Sequence, residues 1–351
     1  MDVEGKVNLI QRPPTEETIT RDELVSLFNN NTSPKHYIGL EISGRLHLGS
    51  LILTGFKLND FIAAGVKTNI FLADWHTYIN NKLNNDWELI SKVSKYYEKA
   101  FKFFCPGVNI LQGSILYEET DDYWKNFVLF SKQITLSRAL RSLTIMGRTE
   151  KDALDFSQLL YPSMQSVDIK AMDLDIVHAG TDQRKIHMLV REVFPKLDWK
   201  VPVSVHHHLL PGLSEPNLLN SASNSTISDE YKTFSKMSKS NPSSSILIND
   251  SEAEITSKIK KAYCPAKVSE NNPILEIINY IIFHESDEFK VERPQKFGGN
   301  ITYYSFEEIK TAFEQGNIHP MDLKMATSGY LNKIISPIRN YLGQEEHEIF
   351  H

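Results

Sequence analysis

The chain has 351 residues, of which 41% are hydrophobic and 23% are charged. This composition is typical of a globular protein that is large enough for two domains, and no apolar run reaches the roughly 18 residues that a membrane span needs. The formal net charge of -6 excludes a polybasic protein that wraps nucleic acid, although a local patch could still bind phosphates.

Export signals and paired cysteines are both missing from the sequence pattern. The first residues, MDVEGKVNLIQRPP, contain no apolar segment that resembles a signal peptide, so we expect a cytoplasmic protein with no membrane attachment. Cys105 and Cys264 are far apart and neither belongs to a CxxC pair. A disulfide framework and a zinc site are therefore not expected, and the two thiols fit a reducing compartment.

Strand and helix patterns alternate along the first two thirds of the chain. Thr20 and Glu23 have capping-box spacing and predict a helix over residues 20–30. In chain order there follow a strand HYIGLEI, a helix ending near Gly65, a strand KTNIFLADWH, a helix DWELISKVSKYYEKAFKFF, a strand VNILQGSIL, helices over about 121–174, a strand DIVHAG and a helix DQRKIHMLVREVF. This alternation predicts an α/β fold with a doubly wound, Rossmann-like parallel sheet.

The character of the chain changes after this region. Residues 213–234 are rich in Ser, Asn and Thr and predict a surface loop. Beyond residue 259 the pattern is helical with little strand signal. We therefore predict two domains, residues 1–255 with the parallel sheet and residues 256–351 with mainly helices.

A glycine turn joins the strand HYIGLEI to the following helix in the segment GLEISGRLHLGS. Such turns let backbone amides approach an anion, but the GxxxxGK[ST] pattern is absent, which excludes a Walker-type phosphate loop. His47 at the helix start could donate a hydrogen bond to a phosphate oxygen as charge develops during a reaction. The alternative is that His47 is a structural histidine with satisfied hydrogen bonds.

A second basic motif follows the Ser/Asn-rich tract in FSKMSKSNPSSSILI. Lys236 and Lys239 lie among serines, in a loop that could close over a polyphosphate and then open. A Lys/Ser loop taken alone is usually a solvated surface loop. Together with the histidine at the helix start, it favours a nucleotide site.

These two motifs resemble the signature pair of class I aminoacyl-tRNA synthetases. The resemblance extends over nearly the whole chain to the archaeal/eukaryotic type of tyrosyl-tRNA synthetase, in the segments YIGLEISGRLHLGS, LADWHTYIN, LLYPSMQSVDI, GTDQRKIHMLVRE, KMSKS, KIKKAYCPA, RPQKFGG and HPMDLK. It implies activation of L-tyrosine with ATP, accompanied by Mg²⁺, and transfer of the tyrosyl group to tRNA(Tyr). It also implies a homodimer, acceptor-stem and dimerisation helices at about 121–174, and anticodon binding by residues 256–351.

The resemblance assigns roles in the first reaction step to particular residues. It implies catalysis by His47, Lys236 and Lys239, and ATP binding by these three together with Gly44, Gly49, Ser50 and Met237. The family's signature ordinarily ends in a second histidine, where this chain has Ser50. A serine hydroxyl is shorter and is expected to reach a phosphate only through water.

A tyrosine pocket is predicted partly from spacing and partly from the resemblance. Tyr161, Gln165 and Asp168 share one face if YPSMQSVD is helical. The resemblance implies that Tyr161, Gln165 and Gln183 bind the α-amino group, and that Asp168 and Tyr37, at the end of the first strand, bind the phenol. A buried site built for a hydroxyl rejects an analogue without one, and tyrosyl-tRNA synthetases are themselves a known example. The alternative is that the helix face only packs.

Six further residues match positions that contact tRNA in the family. They are Arg141, Arg184 and Lys185 near the acceptor end, and Phe297, His319 and Asp322 at the anticodon. An aromatic ring and a carboxylate suit stacking on a splayed base and hydrogen bonding to its edge. HPMDLK also reads as a helix start with Pro320 in the first turn, and the two interpretations are compatible.

The run His206, His207 and His208 invites a metal interpretation that the strand pattern opposes. Adjacent residues of a strand point to opposite faces, so the three imidazoles are not expected to converge, and no metal site is predicted. Two other functions stay open: a tryptophanyl-tRNA synthetase, which shares the architecture, and a catalytically silent RNA-binding relative, which Ser50 leaves possible.

Overall fold

The structure is a computed structural model that describes residues 1–149, 152–216, 237 and 242–350. The chain divides into two compact units, the first formed by Met1–Gly44 and Lys57–His208 and the second by Arg45–Phe56 and Leu209–His351. The signature turn around His47 thus belongs to the second unit. The domain boundary predicted near residue 255 stays a prediction.

A six-stranded sheet is the centre of the first unit. Its strands are β1 Thr15–Ile19, β2 Lys35–Leu40, β3 Lys67–Leu72, β4 Asn109–Gln112, β5 Ile176–Gly180 and β6 Val203–His207. They lie in the order β1-β6-β5-β2-β3-β4. Strands β2 to β6 are parallel, whereas β1 is antiparallel to β6. The prediction of a doubly wound parallel sheet is confirmed, and the direction of winding reverses between β2 and β5.

Ten helices accompany these strands among the described residues. They are α1 Val3–Gln11, α2 Arg21–Asn30, α3 Thr54–Ala63, α4 Asp74–Ile79, α5 Trp87–Phe104, α6 Gly113–Glu119, α7 Tyr123–Ser131, α8 Leu136–Ser142, α9 Tyr161–Ala171 and α10 Arg184–Val193. The predicted capping box of α2 is present between Thr20 and Glu23. Gly65 follows α3 with a φ of +81°, as expected of a glycine at a helix end.

One hydrophobic core cluster joins α7, α9 and α10 to β2, β3 and β5. Val167, Val177 and Ile186 are completely buried in it. Strands covered on both faces can be apolar along their whole length, which is why DIVHAG reads as a continuous apolar run. Tyr37 and Tyr161 belong to the same cluster, so the predicted pocket residues are held by the core itself.

The second unit is mainly helical, as predicted for the C-terminal part. Its helices are α11 Glu252–Lys261, α12 Pro273–Ile277, α13 Phe283–Glu285, α14 Phe306–Gln315, α15 Pro320–Leu342 and α16 Glu345–Phe350. Two π-helical segments, Leu48–Leu53 and Ile278–Ile282, precede α3 and α13. An antiparallel pair, β7 Phe289–Val291 with β8 Ile301–Tyr303, was not expected from the sequence.

Some local predictions need correction or lie outside the described residues, and one strand was not predicted. VNILQGSIL was expected to be one strand, but β4 ends at Gln112 and α6 begins at Gly113. Strand β1 was not predicted, because TEETI is polar and forms an edge. The loop predicted over residues 213–234 falls outside the described residues from 217 onward. Within the described residues, no helix combines the length and apolarity that a membrane crossing requires.

Candidate active site

Three predicted pocket residues lie on helix α9. The helix runs from Tyr161 to Ala171 and so contains Tyr161, Gln165 and Asp168 on one face, which confirms the helical interpretation of YPSMQSVD. Gln183 follows β5 and approaches this face. The Gln165 Nε2 donates to the Gln183 Oε1 over 3.2 Å, and the Gln183 Nε2 donates to the Ile145 carbonyl over 2.8 Å.

Tyr37 reaches the same site from the sheet. The sequence predicted Tyr37 at the end of its strand, but it is the third residue of β2. Its side chain is buried. Burial and the neighbouring charge of Asp168 both raise the pKa of the Tyr37 phenol above its ordinary value. Tyr37 therefore stays a neutral hydroxyl that can both donate and accept a hydrogen bond.

Asp168 is 1% exposed and is surrounded by side chains that sequence reasoning missed. The Tyr123 hydroxyl donates to its Oδ1 over 2.6 Å, and the His76 Nε2 lies 3.5 Å from its Oδ2. Burial raises the pKa of Asp168 to about 8, whereas hydrogen bonds from Tyr123 and Tyr117 lower it. Burial also lowers the pKa of His76 to about 3, so this imidazole is neutral.

The two ends of this site have different chemistry. Gln165 and Gln183 supply amide groups at one end, and Asp168 with Tyr37 supplies a carboxylate and a hydroxyl less than one helical turn further along α9. The Tyr161 ring lies edge-on to His76, with ring centres 4.5 Å apart. The arrangement suits an amino acid whose aromatic ring carries a hydroxyl.

His47, in the second unit, caps the π-helical segment that begins at Leu48. Its Nδ1 accepts from the backbone N–H groups of Gly49 and Ser50 over 3.2 and 3.4 Å. An imidazole nitrogen that accepts hydrogen bonds carries no proton, so the proton of the neutral ring is on Nε2. The structural and the functional interpretation of His47 are therefore compatible: one nitrogen caps the helix and the other is a donor.

Ser50 completes this cap. Its Oγ accepts from the His47 N–H over 2.9 Å and lies 3.2 Å from the His47 carbonyl. The hydroxyl thus stabilises the turn directly, a role that the expected water-mediated phosphate contact did not include. Gly44 has a φ of +136°, which favours glycine. A Cβ at Gly49 would come within 3.3 Å of the His47 ring and would crowd it.

The signature turn is paired with the chain that follows the KMSKS motif. His47 and Leu247 form an isolated antiparallel bridge. The Leu48 N–H donates to the Ile246 carbonyl over 2.9 Å, and the Ile248 N–H donates to the Leu46 carbonyl over 3.0 Å. Met237 is buried, while Lys236 and Lys239 lie outside the described residues. Residues 246–248, which follow the lysine motif in sequence, therefore pair with the backbone around His47.

The sequence and the fold are similar to those of known proteins. The family model for class I tRNA synthetases of the tryptophan and tyrosine type matches residues 29–336. A tyrosine–tRNA ligase of Thermococcus kodakarensis is 45% identical over 97% of this chain and 95% of its own. One of Sulfolobus acidocaldarius is 43% identical over 98% of this chain and 96% of its own.

The chain belongs to the tyrosyl-tRNA synthetase family of class I. A crystal structure of the Pyrococcus horikoshii tyrosyl-tRNA synthetase with L-tyrosine superposes with a TM-score of 0.91, at 44% identity and 99% coverage of each chain. The tryptophanyl-tRNA synthetase of Plasmodium falciparum is 19% identical with a TM-score of 0.68. That likeness extends to the fold alone.

The residues expected to contact tRNA in this family are exposed or at helix starts. Arg184 makes a two-point ion pair with Glu17, over 2.8 and 3.0 Å. The Lys185 Nζ donates to the Thr144 hydroxyl over 3.0 Å, in the turn that follows Arg141 on α8. In the second unit Phe297 is 58% exposed. His319 caps α15, with Pro320 and Asp322 in its first turn, as HPMDLK had indicated.

The histidine run follows the predicted alternation of β6. His206 bonds to His187 over 2.9 Å and to Glu17 over 2.8 Å, whereas His207 bonds to His178 over 2.8 Å. The adjacent rings therefore face different partners. Tyr123 and His76 carry no local sequence signal, because they meet Asp168 only after folding.

Proposed function

We propose that this chain is a tyrosine–tRNA ligase. It activates L-tyrosine with ATP to tyrosyl-adenylate and pyrophosphate, and it then transfers the tyrosyl group to the 3′ end of tRNA(Tyr). One observation carries the proposal. Asp168, a fully buried carboxylate held by hydroxyl groups, lies on the same helix face as Gln165, which is bonded to Gln183. The relatives named above support the same reaction.

Tyrosine recognition follows from the two ends of the pocket. Asp168 and Tyr37 bind the phenolic hydroxyl, since a carboxylate accepts and a neutral phenol can donate. Tyr161, Gln165 and Gln183 bind the α-amino group through their oxygen atoms. Phenylalanine would leave the substrate-facing polar atoms of Asp168 and Tyr37 buried without the hydrogen bonds that tyrosine supplies, which is costly.

ATP activation needs positioning and charge stabilisation rather than a protein base. The tyrosine carboxylate attacks the α-phosphorus and pyrophosphate leaves, so the increase in negative charge has to be stabilised. The His47 Nε2–H serves this purpose, and Lys236 and Lys239 supply cations from the motif whose following segment pairs with His47. Gly44, Gly49, Ser50 and Met237 shape the nucleotide side. Mg²⁺ enters with ATP as part of the substrate, held mainly by phosphates and water.

Transfer to tRNA uses separate surfaces. Arg141, Arg184 and Lys185 face the acceptor end, and their charges suit phosphates. Phe297, His319 and Asp322 read the anticodon by stacking and by hydrogen bonds to base edges. The part from residue 256 onward is then the anticodon-binding domain. Because its substrate is tRNA, we place the enzyme in the cytoplasm.

We propose a homodimer on the basis of an apolar surface on α7 and α8. Four of its large apolar side chains are strongly exposed: Trp124 at 55%, Val128 at 62%, Leu129 at 40% and Leu136 at 64%. Contiguous exposed apolar residues mark interaction sites. A second copy of this chain is the occupant we propose, and these helices are the dimerisation helices predicted at about 121–174.

Amino-acid-dependent exchange between ATP and pyrophosphate tests the proposal. The purified full chain is expected to catalyse exchange with tyrosine and not with tryptophan, and to charge tRNA. Asp168→Asn is expected to lower kcat/KM for tyrosine by about 10²-fold, since an amide nitrogen replaces one of the two buried acceptor oxygens. Asp173→Asn is the control, because Asp173 pairs on the surface with Lys35 and Lys200.

Two results would contradict the proposal. Exchange driven by tryptophan would assign the chain to the tryptophan enzymes. An absence of exchange with every amino acid, in a folded protein that binds tRNA, would identify a catalytically silent RNA-binding relative.

A further inference from the structure

The hydroxyl of Tyr123 has a fixed position in the pocket that the proposed reaction does not explain. Tyr123 begins α7 and is completely buried. Its hydroxyl donates to the Asp168 Oδ1 over 2.6 Å and lies 3.4 Å from the Met164 carbonyl. The oxygen is thus held against one turn of α9.

The second oxygen of Asp168 has a different environment. Its Oδ2 lies 3.5 Å from the Nε2 of His76, and the other ring nitrogen of His76 lies 3.4 Å from the Tyr117 hydroxyl. The contact at 3.5 Å is too long for a strong hydrogen bond. Tyr117 adds a hydrogen bond to Asp168, but the short one, from Tyr123, is on Oδ1. A carboxyl oxygen has two lone pairs, so Oδ2 keeps acceptor capacity.

A carboxylate on a single helix residue can rotate about its χ2 angle, and this torsion has broad minima. A hydrogen bond to one oxygen removes that freedom and decides where the other oxygen points. Tyr117 packs its ring on the Tyr123 ring, with centres 4.4 Å apart, so Tyr123 is itself held in place. Helix α7 thus fixes Tyr123, and Tyr123 in turn fixes the orientation of the Asp168 carboxyl group.

We propose that Tyr123 is a positioning residue that sets the specificity for tyrosine over phenylalanine by orienting Asp168. The proposal rests on the proposed function. Tyr123 occupies Oδ1, and this leaves Oδ2 directed at the position of the substrate hydroxyl. It acts only on substrates that carry that hydroxyl, because phenylalanine makes no hydrogen bond to Asp168.

Tyr123→Phe tests this role, because it removes one oxygen and keeps the buried ring. We expect kcat/KM for tyrosine to fall roughly tenfold, mainly through a higher KM for tyrosine, since the buried hydrogen bond that orients Asp168 is lost. The KM for ATP and the weak activity with phenylalanine are expected to stay within about twofold, so the tyrosine/phenylalanine ratio narrows roughly tenfold.

The matched control is Tyr303→Phe in the second unit, whose hydroxyl has no hydrogen-bond partner among the described residues. A further test adds Tyr123→Phe to the Asp168→Asn variant. In that double variant, Tyr123→Phe is expected to change the tyrosine/phenylalanine ratio of kcat/KM by less than about twofold, because the carboxyl group that Tyr123 orients is gone. If the Phe variant does not fold, Tyr123→Met, whose side chain also lacks a donor, is measured by the same criteria.

Three outcomes are informative. A wild-type chain without tyrosine-dependent exchange would contradict the proposed function itself. If the wild type is active, equal losses with tyrosine and phenylalanine in Tyr123→Phe would mean a merely structural role and would overturn the inference. The inference would also be overturned if Tyr123→Phe and Tyr303→Phe had the same tyrosine/phenylalanine ratio of kcat/KM.

Discussion

At the scale of single residues, Asp168 links substrate recognition to stability. Its pKa in the folded chain is raised to about 8 by burial, against an ordinary value of 3.8. Between these two values the folded chain holds a proton that the unfolded chain has lost. Stability must therefore fall as pH rises through this window, because the folded state binds more protons there.

The corresponding prediction compares Asp168→Asn with the wild type. Since asparagine does not titrate, the unfolding free energy of the variant relative to the wild type is expected to increase from pH 5 to pH 8. Urea unfolding at these pH values measures it. Asp173→Asn should show no such trend, because hydrogen bonds from Lys200 and Lys35 lower the pKa of Asp173 and it is ionised in both states across this range. Parallel curves for the two variants would contradict the assignment.

His47 combines a cap and a catalytic donor, and two substitutions separate these roles. His47→Ser keeps an oxygen that can accept from the N–H groups of the first turn, whereas His47→Ala does not. Both are expected to lower the exchange rate by on the order of 10²-fold, since the Nε2–H is lost. Only His47→Ala is expected to lose about 1 kcal/mol of unfolding free energy as well. Exchange in His47→Ser near the wild-type rate would exclude His47 as the donor.

At the scale of elements, local signals were sufficient where a helix or strand is determined by its own residues. The capping box of α2 and the helix start at His319 were both predicted, because a cap is formed by neighbours in sequence. The helical face of Tyr161, Gln165 and Asp168 followed from spacing alone. In contrast, β1 is polar and short, and only its pairing with β6 makes it a strand. The structural role of Ser50 was missed for a similar reason, since it depends on the turn geometry.

The C-terminal helix α16 contacts the signature turn within the second unit. The Arg45 Nε lies 3.5 Å from the Oε1 of Glu346, whose side chain is 4% exposed, and its guanidinium lies over the Phe350 ring, 5.7 Å from the centre. Arg45 stands two residues before His47. A helix from the end of the chain thus holds the segment that carries the proposed donor.

Glu346→Gln tests whether this contact matters for activity. Without the ion pair the turn is less well held, and we expect the activation free energy of exchange to rise by about 1 kcal/mol. This corresponds to roughly a fivefold lower kcat for exchange. The KM for tyrosine should not change, because the tyrosine pocket is built from the first unit. Glu348→Gln on the exposed side of α16 is the control. If kcat were the same in both variants, α16 would have no role in positioning His47.

At the scale of the whole molecule, the net charge of -6 and a tRNA substrate are compatible. Binding depends on the local field where phosphates approach, and not on the sum over the chain. Arg184 shows how such a field is controlled, since Glu17 orients its guanidinium while leaving it 45% exposed. Burial raises the pKa of Glu17, but the hydrogen bonds from Arg184 and His206 outweigh it, so the pKa is lowered and the carboxylate stays charged.

The proposed dimer makes the final prediction. If α7 and α8 meet a second copy, the chain of 40.2 kDa should sediment at about twice that mass. Val128→Glu places a charge on the apolar surface, and burying it without a partner costs several kcal/mol, so the variant is expected to be monomeric. Lys95→Glu, on the exposed side of α5, is the control and should stay dimeric.

Aminoacylation by the Val128→Glu monomer, measured at equal concentration, shows whether the assembly is needed for activity. A wild-type chain that stays monomeric at micromolar concentration would contradict the dimer and leave the tyrosine pocket, which lies within one chain, unaffected.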